Sequence, residues 1–137
     1  MDLRAFLNTG NKTSEVFEYT PTQKFRDENG KAIPWKFKKL SIDEYEALRD
    51  ECTSINFADK GKTKFNNTLF NKKFVCNSIV EPNLNNAELQ DSYGVKKSED
   101  LVTLMFDNAG EYYNLLGYLL EVNGFKSFSE DVEEAKN

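Results

Sequence analysis

Apolar and polar positions along this chain change their period more than once. At the N-terminus, Leu3, Phe6 and Leu7 fall on one side of a short helical turn, and residues 8–13 (Asn-Thr-Gly-Asn-Lys-Thr) follow as loop. From Glu15 to Thr20 strict alternation takes over. Val16, Glu18 and Thr20 share one face and Phe17 and Tyr19 the other, which is strand spacing carried by strand-forming residues. Lys24-Phe25-Arg26 leads into Asp27-Glu28-Asn29-Gly30, where Asn-Gly supplies the positive φ that a tight hairpin turn needs. The returning arm runs from Ile33 to Lys38, with Ile33, Trp35 and Phe37 on one face and Lys36 and Lys38 on the other. Pro34 has no N–H to give to a ladder, so a free edge is expected on this arm.

From Ser41 the period becomes helical. Ser41-Ile42-Asp43-Glu44 has capping-box spacing: the Ser hydroxyl accepts a backbone N–H and the Glu reaches back to the cap. Ile42, Tyr45, Leu48 and Cys52 then form the apolar face of a first helix. Thr53 to Lys64 reads as a polar loop, and a second helix is expected from about Asn67 to Val80, stopped by Pro82, with Leu69, Phe70, Phe74, Cys76 and Ile79 apolar. A short helix capped at Asn85 should end before Gly94, a left-handed C-cap. Ser98 is expected to cap the next, with Leu101, Leu104 and Met105 facing in. Asn108 caps the longest helix, whose stripe is Tyr112, Leu115, Leu116, Leu119 and Leu120, and Gly124 closes it. A last helix is expected from Ser127 through Val132 and Ala135. These elements make one domain over residues 1–137 of α+β class: a small N-terminal antiparallel β-hairpin or sheet over 1–40, then a predominantly helical bundle over 41–137.

Composition narrows what such a domain does. With 39% hydrophobic and 30% charged residues among 137, the chain has the balance of a globular protein able to bury a core. No apolar run is long enough to span a bilayer, and Met1 to Gly10 is too polar for a secretion signal, so a cytoplasmic location is expected. Cys52 and Cys76 are read as free thiols. There is no histidine, which removes the commonest general base and metal ligand, and two cysteines alone cannot close a zinc site. Neither metal nor cofactor is expected. Net charge is −5, but unevenly placed: residues 1–76 carry 14 Lys+Arg against 11 Asp+Glu, and residues 77–137 carry 4 against 12. Such a dipole steers association without naming the partner.

Candidate chemistry is sparse. The acidic pairs Asp43/Glu44, Glu99/Asp100 and Glu130/Asp131 sit in first turns of expected helices, where they complement the helix dipole rather than form a general acid/base pair. Asp91, Ser92 and Tyr93 have no histidine to complete a triad, and no glycine has the spacing of a phosphate loop. No catalytic residue is assigned. The lysines of 36–39 and 60–64 interleave with Trp35, Phe37 and Phe65, a combination that binds single strands by stacking over a positive groove. Weighed against the acidic total, nucleic-acid binding by a small regulatory protein through its basic N-terminal half is the alternative reading. The helix over 111–122 carries Tyr113, Tyr118 and Leu119 spread around its axis. A helix apolar this far round is either buried or shared with another chain, and these three are the candidate partner-binding surface. Self-association is a further expectation from this stripe and the Pro34 edge.

The run Val80-Glu-Pro-Asn-Leu-Asn-Asn-Ala-Glu-Leu-Gln-Asp-Ser-Tyr-Gly-Val95 resembles the central motif of the XkdN-like phage tail assembly chaperones of Gram-positive phages and prophages. Pro82, Leu84, Leu89, Tyr93 and Gly94 are its structural residues here. Other pieces resemble that family in the same order: Asp27 to Lys31 with Ile33-Pro34-Trp35, Leu40 to Glu44, Leu48 to Thr53, Gly110-Glu111-Tyr112, Gly124-Phe125 and Glu134 to Asn137. Two places depart from it, both at a helix start: Tyr113-Asn114 stands where the family often has an acidic residue, and Asn108-Ala109 replaces a common proline. The resemblance implies a non-enzymatic protein that holds the tape measure protein in solution while tail tube subunits assemble around it. It implies the host bacterial cytoplasm, absence from the mature virion, and the short product of a gene pair joined by ribosomal slippage. Ala135-Lys136-Asn137 can be encoded by a slippage-permissive run of adenines.

Overall fold

The computed structural model describes residues 2–10 and 15–125. It is an α+β fold in which a three-stranded antiparallel sheet is covered on one face by helices. Strands β1 (Val16–Tyr19) and β2 (Trp35–Lys38) pair antiparallel, with Phe17 opposite Phe37 and Tyr19 opposite Trp35. The two-residue repeat sends these four rings to the core, and Trp35 and Phe37 are fully buried. The other face pairs Glu18 with Lys36, whose Nζ lies 3.6 Å from Glu81 on the third strand, β5 (Ile79–Glu81). The Asn29-Gly30 turn forms as expected, with Gly30 at φ 77°, but it closes only a single bridge between Arg26 and Ala32 inside the long β1–β2 connection.

Three expectations change here. β2 is the central strand, in the order β1-β2-β5, so the free edge expected at Pro34 is covered and Pro34 lies just outside the ladder. The strand that covers it falls where the apolar pattern predicts the end of the second helix: α2 spans Asn67–Ser78, and the chain turns extended at Ile79. The third change is at Thr53 to Lys64, which forms a two-stranded hairpin rather than a loop. Its strands β3 (Thr53–Asn56) and β4 (Lys62–Phe65) pair antiparallel, with a 3-10 turn at Phe57–Asp59 between them.

The remaining elements follow their caps. α1 (Ile42–Glu51) starts with the full capping box: Ser41 Oγ accepts from Glu44 N and Glu44 accepts from Ser41 N, each at 3.1 Å. Tyr45, Leu48 and Cys52 face the core, but Ile42 points outward at 78% exposure. α3 (Ala87–Ser92) is capped by Asn86 rather than Asn85, through Leu89 N at 2.9 Å, and Gly94 beyond it takes φ 71°. α4 (Ser98–Val102) has no side-chain cap, since Ser98 is already its first residue, and the inward side chains are Leu101, Val102 and Met105 while Leu104 is exposed. α5 (Ala109–Val122) is capped by Asn108, whose Oδ1 accepts from Glu111 N at 2.9 Å. Tyr112, Leu115, Leu116 and Leu119 are buried along it. The expected last helix from Ser127 lies outside the described residues, as do residues 11–14.

The core is one cluster. Trp35 and Phe37 of the sheet meet Phe70, Phe74 and Val75 of α2, Leu101 and Val102 of α4, and Leu115 and Leu119 of α5. α5 docks on β1 through Tyr118, which stacks on Tyr19 with centroids 4.0 Å apart and meets Phe17 edge-on at 6.2 Å.

Candidate functional site

The segment from Val80 to Val95 has a definite job in this fold. It carries the chain off the sheet edge, through a cis Glu81-Pro82 peptide, into α3 and back toward α4. Leu84 is buried, and its carbonyl accepts from Gln90 Nε2 at 2.8 Å, which ties the loop to the helix that follows. Tyr93 packs against the core, with Lys24 Nζ 6.0 Å from its ring centroid. Gly94 N–H donates to Asp91 O and Val95 N–H to Gln90 O, the pattern by which a left-handed residue closes a helix. Pro82 and Leu89 together form one wall of an apolar groove of about 300 Å³, with Phe25, Trp35 and Met105 on its other sides. Of the five motif residues, then, two line a surface groove and three brace it.

The candidate surface on α5 is divided by the packing. Tyr113 is exposed at 58% and lines a second groove with Phe106, Ala109 and Tyr112, about 360 Å³ in volume. Tyr118 is half-buried beneath Tyr19 and Phe17, and Leu119 is wholly buried in the core. Leu119 therefore cannot meet a partner while the core stays closed, Tyr118 keeps part of its ring exposed, and Tyr113 is the most exposed of the three. The helix is apolar so far round because the sheet takes one side and α2 another. Residue pattern alone leaves open whether a second apolar side belongs to the same chain or to another.

Large apolar side chains also lie exposed away from the surface expected on α5. Leu3, Phe6 and Leu7 sit on one N-terminal 3-10 turn with 67%, 73% and 62% exposure. Phe57 at the tip of the β3–β4 hairpin is 85% exposed, with Ile55 beside it on β3 and Ile42 on α1 also outward. A third groove, about 370 Å³, runs along α1 between Leu40, Ile42, Tyr45, Glu46 and Arg49 on one side and Asn123 and Phe125 on the other. Their spacing does not distinguish these residues from core residues, so only the fold reveals them.

The electrostatics serve pairing. Lys73 of α2 holds Glu99 of α4 at 3.0 Å and Glu51 of α1 at 3.3 Å, which joins three helices. The hydrogen bond to Glu99 raises the pKa of Lys73, and the same bond lowers that of Glu99. Glu44 is lowered by the Ser41 backbone N–H, and Asp2 by Arg4. Every carboxylate whose pKa is displaced is held in its charged form, which suits ion pairing and opposes proton donation near neutral pH. Burial raises both thiols, Cys76 to about 12, so neither is a ready nucleophile. The Tyr112 hydroxyl, buried without a hydrogen-bond partner among the described residues, is likewise pushed to about 12 by burial. No group of three or more His, Cys, Asp or Glu side chains among the described residues is placed to hold a metal ion. No helix among the described residues is long and apolar enough to cross a membrane.

These features define a small α+β domain built around one braced segment, with separate apolar grooves and outward apolar side chains. The chain belongs to the phage XkdN-like tail assembly chaperone protein family, TAC, which matches residues 3–136. It is similar to YqbN of Bacillus subtilis (strain 168), 28% identical over 136 residues that cover 98% of this chain and 91% of the relative. It is similar too to the phage-like element PBSX protein XkdN of the same strain, 27% identical over 139 residues and covering 99% and 94% of the two chains. The crystal structure of YqbN shares the fold with a TM-score of 0.76 at 24% identity, across 92% of this chain and 98% of that one.

Proposed function

We propose that this chain is a non-enzymatic tail assembly chaperone that binds the phage tape measure protein and keeps it soluble while tail tube subunits assemble. The observation that carries the reading is the family membership, which spans the chain from residue 3 to 136. Physical chemistry supports it. A long helical client exposes apolar faces before assembly, and a protein that covers them needs apolar surface outside its own core and charge enough to stay in solution. Leu3, Phe6, Leu7 and Tyr113 provide such surface, and a net charge of −5 provides the solubility. In this reading the chain works in the host cytoplasm and is absent from the finished virion.

The test is co-expression with a phage tape measure protein. The expected result is a rise in soluble tape measure protein and a complex that survives co-purification. A client equally soluble alone, with no complex recovered, overturns the proposal. One observation favours a second reading: Lys60, Lys62 and Lys64 stand on an exposed hairpin with Phe57 at its tip, a combination able to stack on and neutralise a single nucleic-acid strand. A gel shift that weakens steeply with salt would support that reading, and the chaperone proposal expects no shift.

A further inference from the structure

We infer that the groove at the start of α5 receives a carboxylate of a helical protein partner, from an Asp or Glu one turn away from an apolar side chain, with Lys72 as its counter-charge. The inference rests on the chaperone reading only for the helical nature of the partner. The groove, about 360 Å³, lies between α2, the 3-10 turn Thr103–Met105 and the first turns of α5. Its walls are the rings of Phe106, Tyr112 and Tyr113, and the one charged side chain that lines it is Lys72 of α2. Lys72 has no carboxylate partner among the described residues, whereas its neighbour Lys73 takes Glu51 at 3.3 Å and Glu99 at 3.0 Å. Adjacent residues of a helix point about 100° apart, so the acids that compensate Lys73 do not serve Lys72. The acid in the first turn of α5 is engaged elsewhere: Glu111 Oε1 accepts from the Thr22 hydroxyl at 3.0 Å and from Asp107 N–H at 2.8 Å. Asp107 itself lies outside the lining.

The other polar groups of the lining add donors. Asn108 Oδ1 accepts from Glu111 N–H at 2.9 Å as the helix cap, which leaves the NH₂ of the same side chain without an acceptor among the described residues. Thr103 brings a hydroxyl. What the lining lacks is a carboxylate, and a carboxylate set between an ammonium and an amide makes charge-assisted hydrogen bonds, the stronger kind. The aromatic walls keep water from part of that contact and so lower its screening. Apolar surface continues past the groove. Tyr113 is 58% exposed on its rim, and Leu104, next in the chain to Thr103, is 46% exposed. A small free acid fills the groove and leaves this rim bare. A helix whose acid and apolar side chain stand one turn apart covers both, because such residues share one face. A basic side chain in the same place meets Lys72 as a like charge, so the groove also selects against the wrong helix face.

The experiment uses the full chain and two synthetic helical peptides of about 20 residues, blocked at both ends and alike except for a Glu or a Lys one turn after a Leu-Phe pair. Calorimetric titration should find the Glu peptide bound about tenfold more tightly than the Lys peptide, a difference that shrinks as salt is raised. Amide NMR should place the shifts at 68–72, 103–104 and 108–113 and leave α1 and the β3–β4 hairpin unmoved. Lys72→Glu should reverse the preference between the peptides, which loss of fold cannot imitate, and Lys72→Arg should keep it. Tyr113→Ala should weaken both peptides alike. The inference is overturned by equal affinities, by a preference that survives Lys72→Glu, by shifts centred on the hairpin lysines, or by binding of neither peptide. Phenylacetate bound as tightly as the Glu peptide also overturns it and would assign the groove to a small free acid. The chaperone reading is decided separately, by co-expression with a tape measure protein, so either can fail while the other stands.

Discussion

Two antiparallel β elements in this protein have nearly equal strand lengths and opposite fates. In β1–β2 one face is Phe17, Tyr19, Trp35 and Phe37, and the sheet becomes the wall of the core. In β3–β4 the strands read Thr-Ser-Ile-Asn and Lys-Thr-Lys-Phe, and every residue but Phe65 is exposed. Backbone pairing is alike in both, so the ladder does not decide which is buried. Apolar side chains on a single face do, at about 25 cal/mol per Å² of apolar surface removed from water. A two-stranded ribbon without such a face is marginal alone, and this one leans on its root. There, Asn66 N–H donates to Cys52 O at 2.8 Å, and Arg49 covers Phe65.

The sheet side of this comparison yields the largest expected effect. Phe37 is fully buried and its ring lies near Phe17, Tyr19 and Trp35. Phe37→Ala should cost roughly 3–5 kcal/mol, the range for truncating a core aromatic. Urea unfolding of the two chains checks it, and a loss below about 1 kcal/mol would mean that the sheet is not the core wall described here.

The root of the hairpin should show an intermediate effect. Lys73 pins Glu51, the last residue of α1, and Glu99 of α4. Lys73→Met leaves two carboxylates without their cation and should cost roughly 1–2 kcal/mol, since the groups are only partly screened by solvent. The pH dependence has two limbs. Glu99 is lowered from 4.5, so its share of stability is present above that value and is lost as pH falls through the folded-state value. Lys73 is raised from 10.5, so its share is present below that value and is lost as pH rises through the folded-state value. Wild type should hold a plateau between these limits, and Lys73→Met should be flatter at both ends. Equal slopes in the two chains would remove the ion pairs from the account.

The same contrast explains what could be read in the sequence. Elements with one apolar face or a paired cap were legible: β1, β2, the Ser41 box, the Asn108 cap and the positive φ at Gly94 all express local chemistry. The hairpin was illegible as strand because Lys62, Thr63 and Lys64 give no apolar alternation. Its signs were the β-branched residues and a turn with Lys60 at φ 55° and Gly61 at φ 74°. β5 was hidden because Ile79 and Val80 continue the apolar pattern of α2, and only pairing with Phe37 draws them out of it. On the candidate surface, Tyr113 and Leu119 looked alike, because which side of α5 the sheet covers is a tertiary fact. The groove that Pro82 and Leu89 share with Trp35 and Met105 joins parts of the chain far apart in sequence, so no local pattern shows it.

The smallest expected effect sharpens the comparison most, because it asks for nearly nothing where a strand residue is replaced. Ile55 lies in the middle of β3 opposite Thr63, yet it is 55% exposed. Were the hairpin part of the core, Ile55→Ser would cost several kcal/mol, as buried aliphatic truncations do. Because more than half of its surface already meets water, the change should stay within about 0.5 kcal/mol. Strand propensity works in the same direction and is also small at an exposed position. The global unfolding midpoint should therefore barely move. Amide exchange within 53–65 should quicken, since a ribbon without a buried face opens locally at low free energy and depends on each side chain that it keeps. A large shift of the global midpoint would place Ile55 in a packed interface, either beneath a segment of this chain or against a second molecule. Dilution would tell these apart: the shift would shrink with concentration only in the second case.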